Sequence, residues 1–135
     1  MKYLLDTNTC IELLRQPDSE IARRLLQTDP AEITLCAVVK AELLYGAERS
    51  QHRDANLKLL EEFFAQFISL PFDDNAAEAY GRIRAQLAAA GAVIGPNDLM
   101  IASIALAHNL VLVTHNTREF SRVEGLQIED WEAPG

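Results

Sequence analysis

Three acidic residues that are far apart in the sequence stand beside apolar segments. Asp6 ends the first apolar run, Glu42 lies within the mainly apolar segment 38–45, and Asp98 precedes a second apolar stretch. Carboxylates attached to apolar elements are costly unless another group compensates their charge. The sequence contains no cluster of His or Cys, so the compensation available is a hard cation with oxygen ligands, and Mg²⁺ or Mn²⁺ is the expected cofactor.

A shared divalent ion would give these carboxylates a role in phosphodiester hydrolysis. Such an ion holds the phosphate, lowers the pKa of a bound water and stabilises the leaving oxygen, and a pair of ions about 3.5–4 Å apart clamps both sides of the displacement. This chemistry needs no side-chain nucleophile, and the sequence offers no convincing one. We therefore expect Asp6, Glu42 and Asp98 to be both catalytic and metal-binding.

Each acid also has an ordinary interpretation. Asp6 could simply end a strand, and Asp98 could be a favourable residue in the first turn of a helix. Glu42 could lie on a solvated helix face, which it would share with Lys40 and Glu48. The combination of all three, rather than any one of them, favours the functional interpretation.

The elements that must position these acids alternate along the chain. Between the apolar runs, hydrophobic residues recur at intervals of three and four, as in amphipathic helices. Alternating helices and buried strands predict an α/β protein with a mostly parallel central sheet of four to five short strands, covered by helices on both faces. No linker or repeat divides residues 1–135, so we expect one domain. The predicted strands are 3–5, 33–37, 68–72 and 111–114.

Two helix starts are predicted near the acids. Asn8 and Thr9, with Glu12 three residues after Thr9, indicate a capping box behind the first strand. Asn97 is expected to cap a nearly all-apolar, buried helix, with Asp98 in its first turn.

Polar residues follow the first and last predicted strands. Ligands of open parallel sheets bind beyond the carboxyl ends of the strands, so we expect these residues to meet. They could orient metal-bound water or phosphate oxygens, although turn and cap roles explain several of them almost equally well. The residues are Thr7, Asn8, Thr114, His115 and Asn116.

Further residues near these positions have two interpretations each. Arg118 is the best candidate for a phosphate contact, and Glu119 is either an additional acid or an exposed loop carboxylate. His115 could be a metal ligand or proton carrier, but no second His is nearby. Tyr45 and Arg49 share a helix face with Glu42 and could contact a base or a phosphate, although core packing and a surface pair are favoured.

Composition sets limits on the class of protein. Twelve Lys and Arg against 20 Asp and Glu give a net charge of −8, which argues against binding nucleic acid through a general basic surface. Cys10 and Cys36 are expected to be buried thiols in a reducing compartment. The sequence has no stretch of about 20 apolar residues, so we expect a cytoplasmic protein without a membrane segment.

Two other Mg²⁺-binding classes are disfavoured. A receiver-like domain would need a Lys late in the chain, and the last one is Lys58. A phosphatase with an aspartyl nucleophile would have a second Asp two residues after Asp6, where this chain has Asn8.

The chain resembles the VapC-type toxins of the PIN-domain ribonuclease superfamily over essentially its whole length. The order of the matching segments is more specific than any single motif. These segments are 5–8 (LDTN), 39–47 (VKAELLYGA), 94–102 (IGPNDLMIA), 113–120 (VTHNTREF) and 130–131 (DW).

The resemblance implies a Mg²⁺- or Mn²⁺-dependent endoribonuclease, the toxin of a type II toxin–antitoxin pair, inhibited by a VapB antitoxin and commonly dimeric. It is closest to the branch that cuts the anticodon loop of initiator tRNA. Asp6, Glu42 and Asp98 match the metal-binding acids of the family, whereas the fourth acidic position is Asn116, a neutral and weaker ligand. Asn116 and the acidic net charge keep one alternative open: a PIN-like module that binds a partner and does not cleave RNA.

Overall fold

The computed structural model describes residues 1–133 and contains one five-stranded, fully parallel sheet in the order β3-β2-β1-β4-β5. The α/β fold predicted from the alternating pattern is confirmed. The predicted domain bounds of 1–135 end two residues beyond those described. The strands are β1 (Tyr3–Leu5), β2 (Ile33–Cys36), β3 (Ile68–Leu70), β4 (Val111–Val113) and β5 (Ile128–Glu129).

Helices connect successive strands and flank the sheet. Within residues 1–133, no helix combines the length and the apolar character needed to cross a membrane. The helices are α1 (Thr7–Arg15), α2 (Glu20–Leu26), α3 (Ala37–Glu48), α4 (Arg53–Phe64), α5 (Asp74–Ala89), α6 (Pro96–Ala107) and α7 (Thr117–Phe120), and a 3₁₀ turn spans Pro30–Glu32.

The core lies around β1, β4 and α6. Burial of an apolar side chain contributes roughly 1.5–3 kcal/mol, so strands apolar on both faces are stable only when both faces are covered. The middle of α6 is buried on nearly all sides, as its uniformly apolar sequence predicts. Cys10 and Cys36 are buried free thiols, so the predicted burial of both is confirmed. Fully buried core residues include Leu4, Leu5, Ile101, Ile104, Leu112 and Val113.

The two predicted helix starts are wrong in detail. α1 begins one residue after Asp6, whose side chain accepts a hydrogen bond from the Thr9 amide, so Asp6 caps this helix. α6 has Gly95 at its cap position and begins at Pro96. Proline suits a first helical position because it lacks the amide hydrogen that would be unpaired there. Asn97 is therefore inside the helix, which frees its side chain for another contact.

Candidate functional site

The candidate site lies where the strand order reverses. The chain passes from β1 to β2 and β3 on one side of the sheet and then returns to β4 and β5 on the other. In open parallel sheets, the crevice at the carboxyl ends beside such a reversal is the usual ligand site. Asp6 follows β1, and its amide donates to the Val113 carbonyl of β4 over 3.1 Å. The ends of β1 and β4 therefore place Asp6 and Thr114 at the same edge.

Asp6 is almost completely buried and rigidly held. Its Oδ1 accepts a hydrogen bond of 2.8 Å from the Thr9 amide at the N-terminus of α1. Burial raises the pKa of Asp6, while hydrogen bonds from Thr114 and Thr9 act in the opposite direction. The positive end of the helix also favours the ionised carboxylate.

Glu42, on α3, accepts hydrogen bonds from residues that are adjacent to the other two predicted acids. Its Oε1 accepts a 2.5 Å hydrogen bond from the Thr7 hydroxyl, and its Oε2 accepts a 3.3 Å hydrogen bond from the Asn97 amide group. Thr7 is adjacent to Asp6 and Asn97 is adjacent to Asp98. These two contacts bring the three distant acids into one region.

Asp98 is half-buried in the first turn of α6, and its pKa reflects the negative charges around it. Burial, the largest cause, together with the negative charges of Glu119, Glu42 and Asp6, raises the pKa of Asp98 to about 6. Like charges raise the pKa of a carboxyl group when they lie close to it. Four carboxylates thus share one site, here called the acid pocket: Asp6, Glu42, Asp98 and Glu119.

Glu119, which the sequence offered as an additional acid, lies in contact with Asn116, the residue at the fourth acidic position of the family. Its Oε2 accepts a hydrogen bond of 2.9 Å from the Asn116 side-chain amide, and its Oε1 accepts one of 3.2 Å from the Gly95 amide. Asn116 also donates its backbone amide to the Thr114 hydroxyl. The spacing of three residues between Asn116 and Glu119 was the available signal, because it brings two side chains together on a helical turn.

The donors of the acid pocket are carboxylate oxygens, which suit Mg²⁺ or Mn²⁺ better than metals that prefer nitrogen or sulfur. Among residues 1–133, the group whose ligand atoms all lie within 4.8 Å of one another is a different one: His115, Asp130 and Glu132. The carboxylates of the acid pocket are spread more widely than that. Carboxylates that are not all within 4.8 Å of one another would share one ion partly through bound water, or would hold a pair of ions.

An open groove of about 720 Å³ adjoins the acid pocket. Tyr45 is 63% exposed in this groove, so the expectation that it packs in the core is wrong. The Arg49 guanidinium lies 4.8 Å from the centre of the Tyr45 ring, so the two form a cation–π pair. The groove is lined by residues that include Thr7, Asn8, Glu42, Tyr45, Arg49 and Asn97.

Two other predicted residues lie on or next to α7. Arg118 is exposed on this helix, and its contact with phosphate stays a prediction. His115 is exposed, and its Nδ1 lies 3.0 Å from Asp130 Oδ2 and 3.4 Å from Glu132 Oε2. Its direct contacts are therefore with the C-terminal segment.

Known proteins with similar sequences cover nearly the whole chain. The chain is 41% identical to a tRNA(fMet)-specific endonuclease VapC from Shigella flexneri, over 97% of this chain and 98% of the relative. It is 37% identical to a ribonuclease VapC2 from Haemophilus influenzae over the same shares.

The fold is shared with solved structures as well. A chain of a DNA-bound VapBC from Salmonella typhimurium superposes with a TM-score of 0.93 at 40% identity, covering 97% of this chain and 98% of that one. The PIN domain family model matches residues 3–126. The resemblance drawn from the motifs is thereby confirmed, and this chain belongs to the PIN-domain family, in its VapC-type branch.

Proposed function

We propose that this chain is a metal-dependent endoribonuclease that acts on tRNA as the toxin of a VapBC-like pair. The observation that carries the proposal is the acid pocket, in which four carboxylates from four helices or helix starts meet at the carboxyl ends of β1 and β4. The names of the full-length relatives support the class of reaction and the class of substrate.

The residues of the acid pocket fit a hard divalent ion. Each carboxyl group contributes oxygen donors, and burial and mutual repulsion raise the pKa of Asp98 to about 6, so a cation there would offset unfavourable charge. Asp6, Glu42, Asp98 and Glu119 would hold the ion. When bound, Mg²⁺ or Mn²⁺ supplies phosphate polarisation and a more acidic water.

The remaining polar residues position the carboxylates or contact the RNA. Thr7 and Asn97 fix the two oxygens of Glu42. Thr114 connects Asp6 to the backbone of the loop after β4, and Asn116 is a positioning residue for Glu119.

Substrate contacts are proposed for the groove and for α7. Asn8 lies beside the pocket, where its amide suits a phosphate or ribose oxygen. The Tyr45 ring offers a surface for base stacking, with Arg49 above it. Arg118 supplies a positive charge for the phosphate backbone.

The relatives also support a proposal for the antitoxin partner of the protein. The similar solved chain comes from a VapBC complex, which supports a VapB-type antitoxin as the inhibitor of this protein. We expect a homodimer, which light scattering of the purified protein tests. The tRNA substrate implies action in the cytoplasm.

Cleavage of a tRNA mixture by the protein freed of any partner tests this function. We expect cuts in Mg²⁺ or Mn²⁺, mapped to initiator tRNA, that EDTA abolishes. Asp6→Asn and Asp98→Asn should remove the cuts and leave the circular dichroism spectrum unchanged, whereas Asp18→Asn, at an exposed turn, keeps them.

Two outcomes contradict the proposal. Activity that survives either pocket substitution would mean that the assigned roles are wrong. Intact RNA in Mn²⁺, with a correctly folded protein, would favour the alternative of a PIN-like module that binds a partner without cleaving.

A further inference from the structure

A second group of metal-ligating side chains lies outside the acid pocket. It consists of His115, which follows β4 by two residues, and Asp130 and Glu132, which follow β5. One ligand atom from each residue lies within 4.8 Å of the other two. We call these residues the C-terminal cluster.

The sheet fixes the backbone that carries this cluster. β4 and β5 are parallel neighbours in which Val113 pairs with Glu129, and the Thr114 amide donates to the Glu129 carbonyl over 2.9 Å. The segments that carry His115 and Asp130 therefore leave the same edge of the sheet, immediately after the paired residues Val113 and Glu129. His115 and Asp130 are neighbours because β4 and β5, which precede them, are paired.

A buried tryptophan holds the two carboxylates in place. Trp131 is 3% exposed, packs edge-on against Tyr3 at 5.1 Å between ring centres, and donates its indole N–H to Glu129. With Trp131 turned into the core, Asp130 and Glu132 turn toward His115, as their distances of 3.0 and 3.4 Å to its Nδ1 show.

The two carboxylate oxygens of Asp130 have different contacts, and one of them faces the His115 imidazole. Its Oδ1 accepts a hydrogen bond of 3.0 Å from the Glu132 amide, while Oδ2 faces His115. Burial raises the pKa of Glu132, and the negative charges of Glu12, Asp130 and Asp6 raise it further, whereas His115 lowers it. The cluster therefore lies in a negative field that favours a cation.

The spacing of these donors agrees with metal coordination. Zinc bonds of about 2.0–2.2 Å in tetrahedral geometry separate neighbouring ligand atoms by about 3.4 Å. The 3.0 and 3.4 Å distances between His115 Nδ1 and the two carboxylate oxygens lie close to that value.

We propose that His115, Asp130 and Glu132 form a second metal site, selective for a first-row transition ion such as Zn²⁺ over Mg²⁺. One imidazole nitrogen and two carboxylate oxygens favour Zn²⁺, Ni²⁺ or Co²⁺, whereas the all-oxygen acid pocket suits Mg²⁺. The bound ion ties the segment after β5 to the loop after β4, which leads into Asn116 and Glu119. This site does not depend on the proposed nuclease function.

Zinc titration of the full-length, untagged protein in excess Mg²⁺ tests the site. We expect one Zn²⁺ to bind by calorimetry and to raise the melting temperature. Paramagnetic Co²⁺ or Ni²⁺ should quench the fluorescence of Trp131, the single tryptophan, which lies between two of the ligands.

His115→Gln and Glu132→Gln should weaken Zn²⁺ binding at least about tenfold, the lower limit seen even for loss of an indirect metal partner. His52→Gln is the matched control, because His52 is also exposed but lies outside the cluster, and it should bind as the unaltered protein does. Circular dichroism checks folding, and His115→Gln, at a 65% exposed side chain, keeps the test decisive if Glu132→Gln unfolds. Absence of Zn²⁺ binding, or binding that persists in His115→Gln, overturns the proposal.

Discussion

Asp98 holds its proton more tightly than an exposed aspartate does. Burial, followed by the charges of Glu119, Glu42 and Asp6, raises its pKa to about 6. A fully ionised acid pocket is therefore unfavourable for the folded protein in the absence of a cation. The residues suited to catalysis reduce stability, which is a common feature of functional sites.

Replacement of Asp98 by Asn separates the effect of this charge on stability from its proposed effect on catalysis. The amide removes a buried negative charge, so we expect a higher melting temperature of the metal-free protein and no RNA cleavage. Asp74→Asn is the control, since Asp74 also lies in the first turn of a helix, α5, but is exposed. It should slightly lower the melting temperature and retain cleavage. A destabilised Asp98→Asn protein would contradict the proposed repulsion.

The pH dependence of stability has the same origin. An unfolded Asp titrates near about 3.9, whereas Asp98 in the folded protein has a raised pKa of about 6, so the folded state binds the proton more tightly. The destabilisation by Asp98 is complete above its folded pKa and fades as the pH falls. The advantage of Asp98→Asn in melting temperature should therefore shrink between about pH 7.5 and about pH 5. An advantage that is constant with pH would refute this origin.

Residue types predicted much of the acid pocket but not its internal contacts. Asp6, Glu42 and Asp98 stood out by charge beside apolar segments and by the family resemblance. The bond from Asn97 to Glu42 spans 55 residues, and the bond from Gly95 to Glu119 spans 24. Such contacts depend on how α3, α6 and α7 pack, which local spacing does not determine.

At the scale of elements, the first strand and the helix after it are coupled through one side chain. Asp6 ends β1, caps α1 and belongs to the acid pocket. An N-cap carboxylate contributes about 1 kcal/mol to helix stability. A single position therefore has a structural role and, in the proposed function, a chemical one, and different substitutions can separate the two.

Asp6→Asn and Asp6→Ala should both abolish cleavage but differ in stability. Asn still caps a helix, whereas Ala cannot, so we expect the free energy of unfolding of the Ala variant to be lower by about 1 kcal/mol in urea denaturation. Asp73 caps α5 by an equivalent 3.0 Å bond to the Ala76 amide. Asp73→Ala should show the same loss of stability with cleavage intact, and equal stability of the two Asp6 variants would exclude the capping role.

The sequence predicted the buried central strands better than the elements that follow β4. The predicted strands at 3–5 and 111–114 match β1 and β4 to within one residue, because a short apolar run marks a strand that is buried on both faces, whereas helical periodicity needs several turns to show. α7 has four residues and β5 has two, which is too short for either pattern to emerge. The cap of α6 was misplaced because Asn97 has the residue type of a cap, while Pro96 determines the start.

At the scale of the whole molecule, the charge opposes RNA binding. Twenty acidic residues outnumber 12 basic ones, and four of the acids meet in the acid pocket. We therefore propose that association with RNA depends on local features: bound cations, the Tyr45–Arg49 pair and Arg118. The affinity of a protein that contacts many phosphates would fall much more steeply with rising salt.

Salt should therefore weaken tRNA binding only modestly. Six to ten phosphate contacts reduce affinity about 10³–10⁵-fold between about 50 and 200 mM salt. For inactive Asp98→Asn in Mg²⁺, measured by fluorescence anisotropy with labelled tRNA, we expect a loss of no more than about 150-fold, as for three or four contacts. A loss in the higher range would reveal an extended basic surface that this account does not include.

Anomalous diffraction from crystals soaked in Mn²⁺ tests the shared metal site most directly. The account predicts a manganese peak within reach of the carboxylates of Asp6, Asp98 and Glu42, absent in Asp98→Asn crystals. Density confined to His115, Asp130 and Glu132, or no peak between the three acids at saturating Mn²⁺, would contradict it.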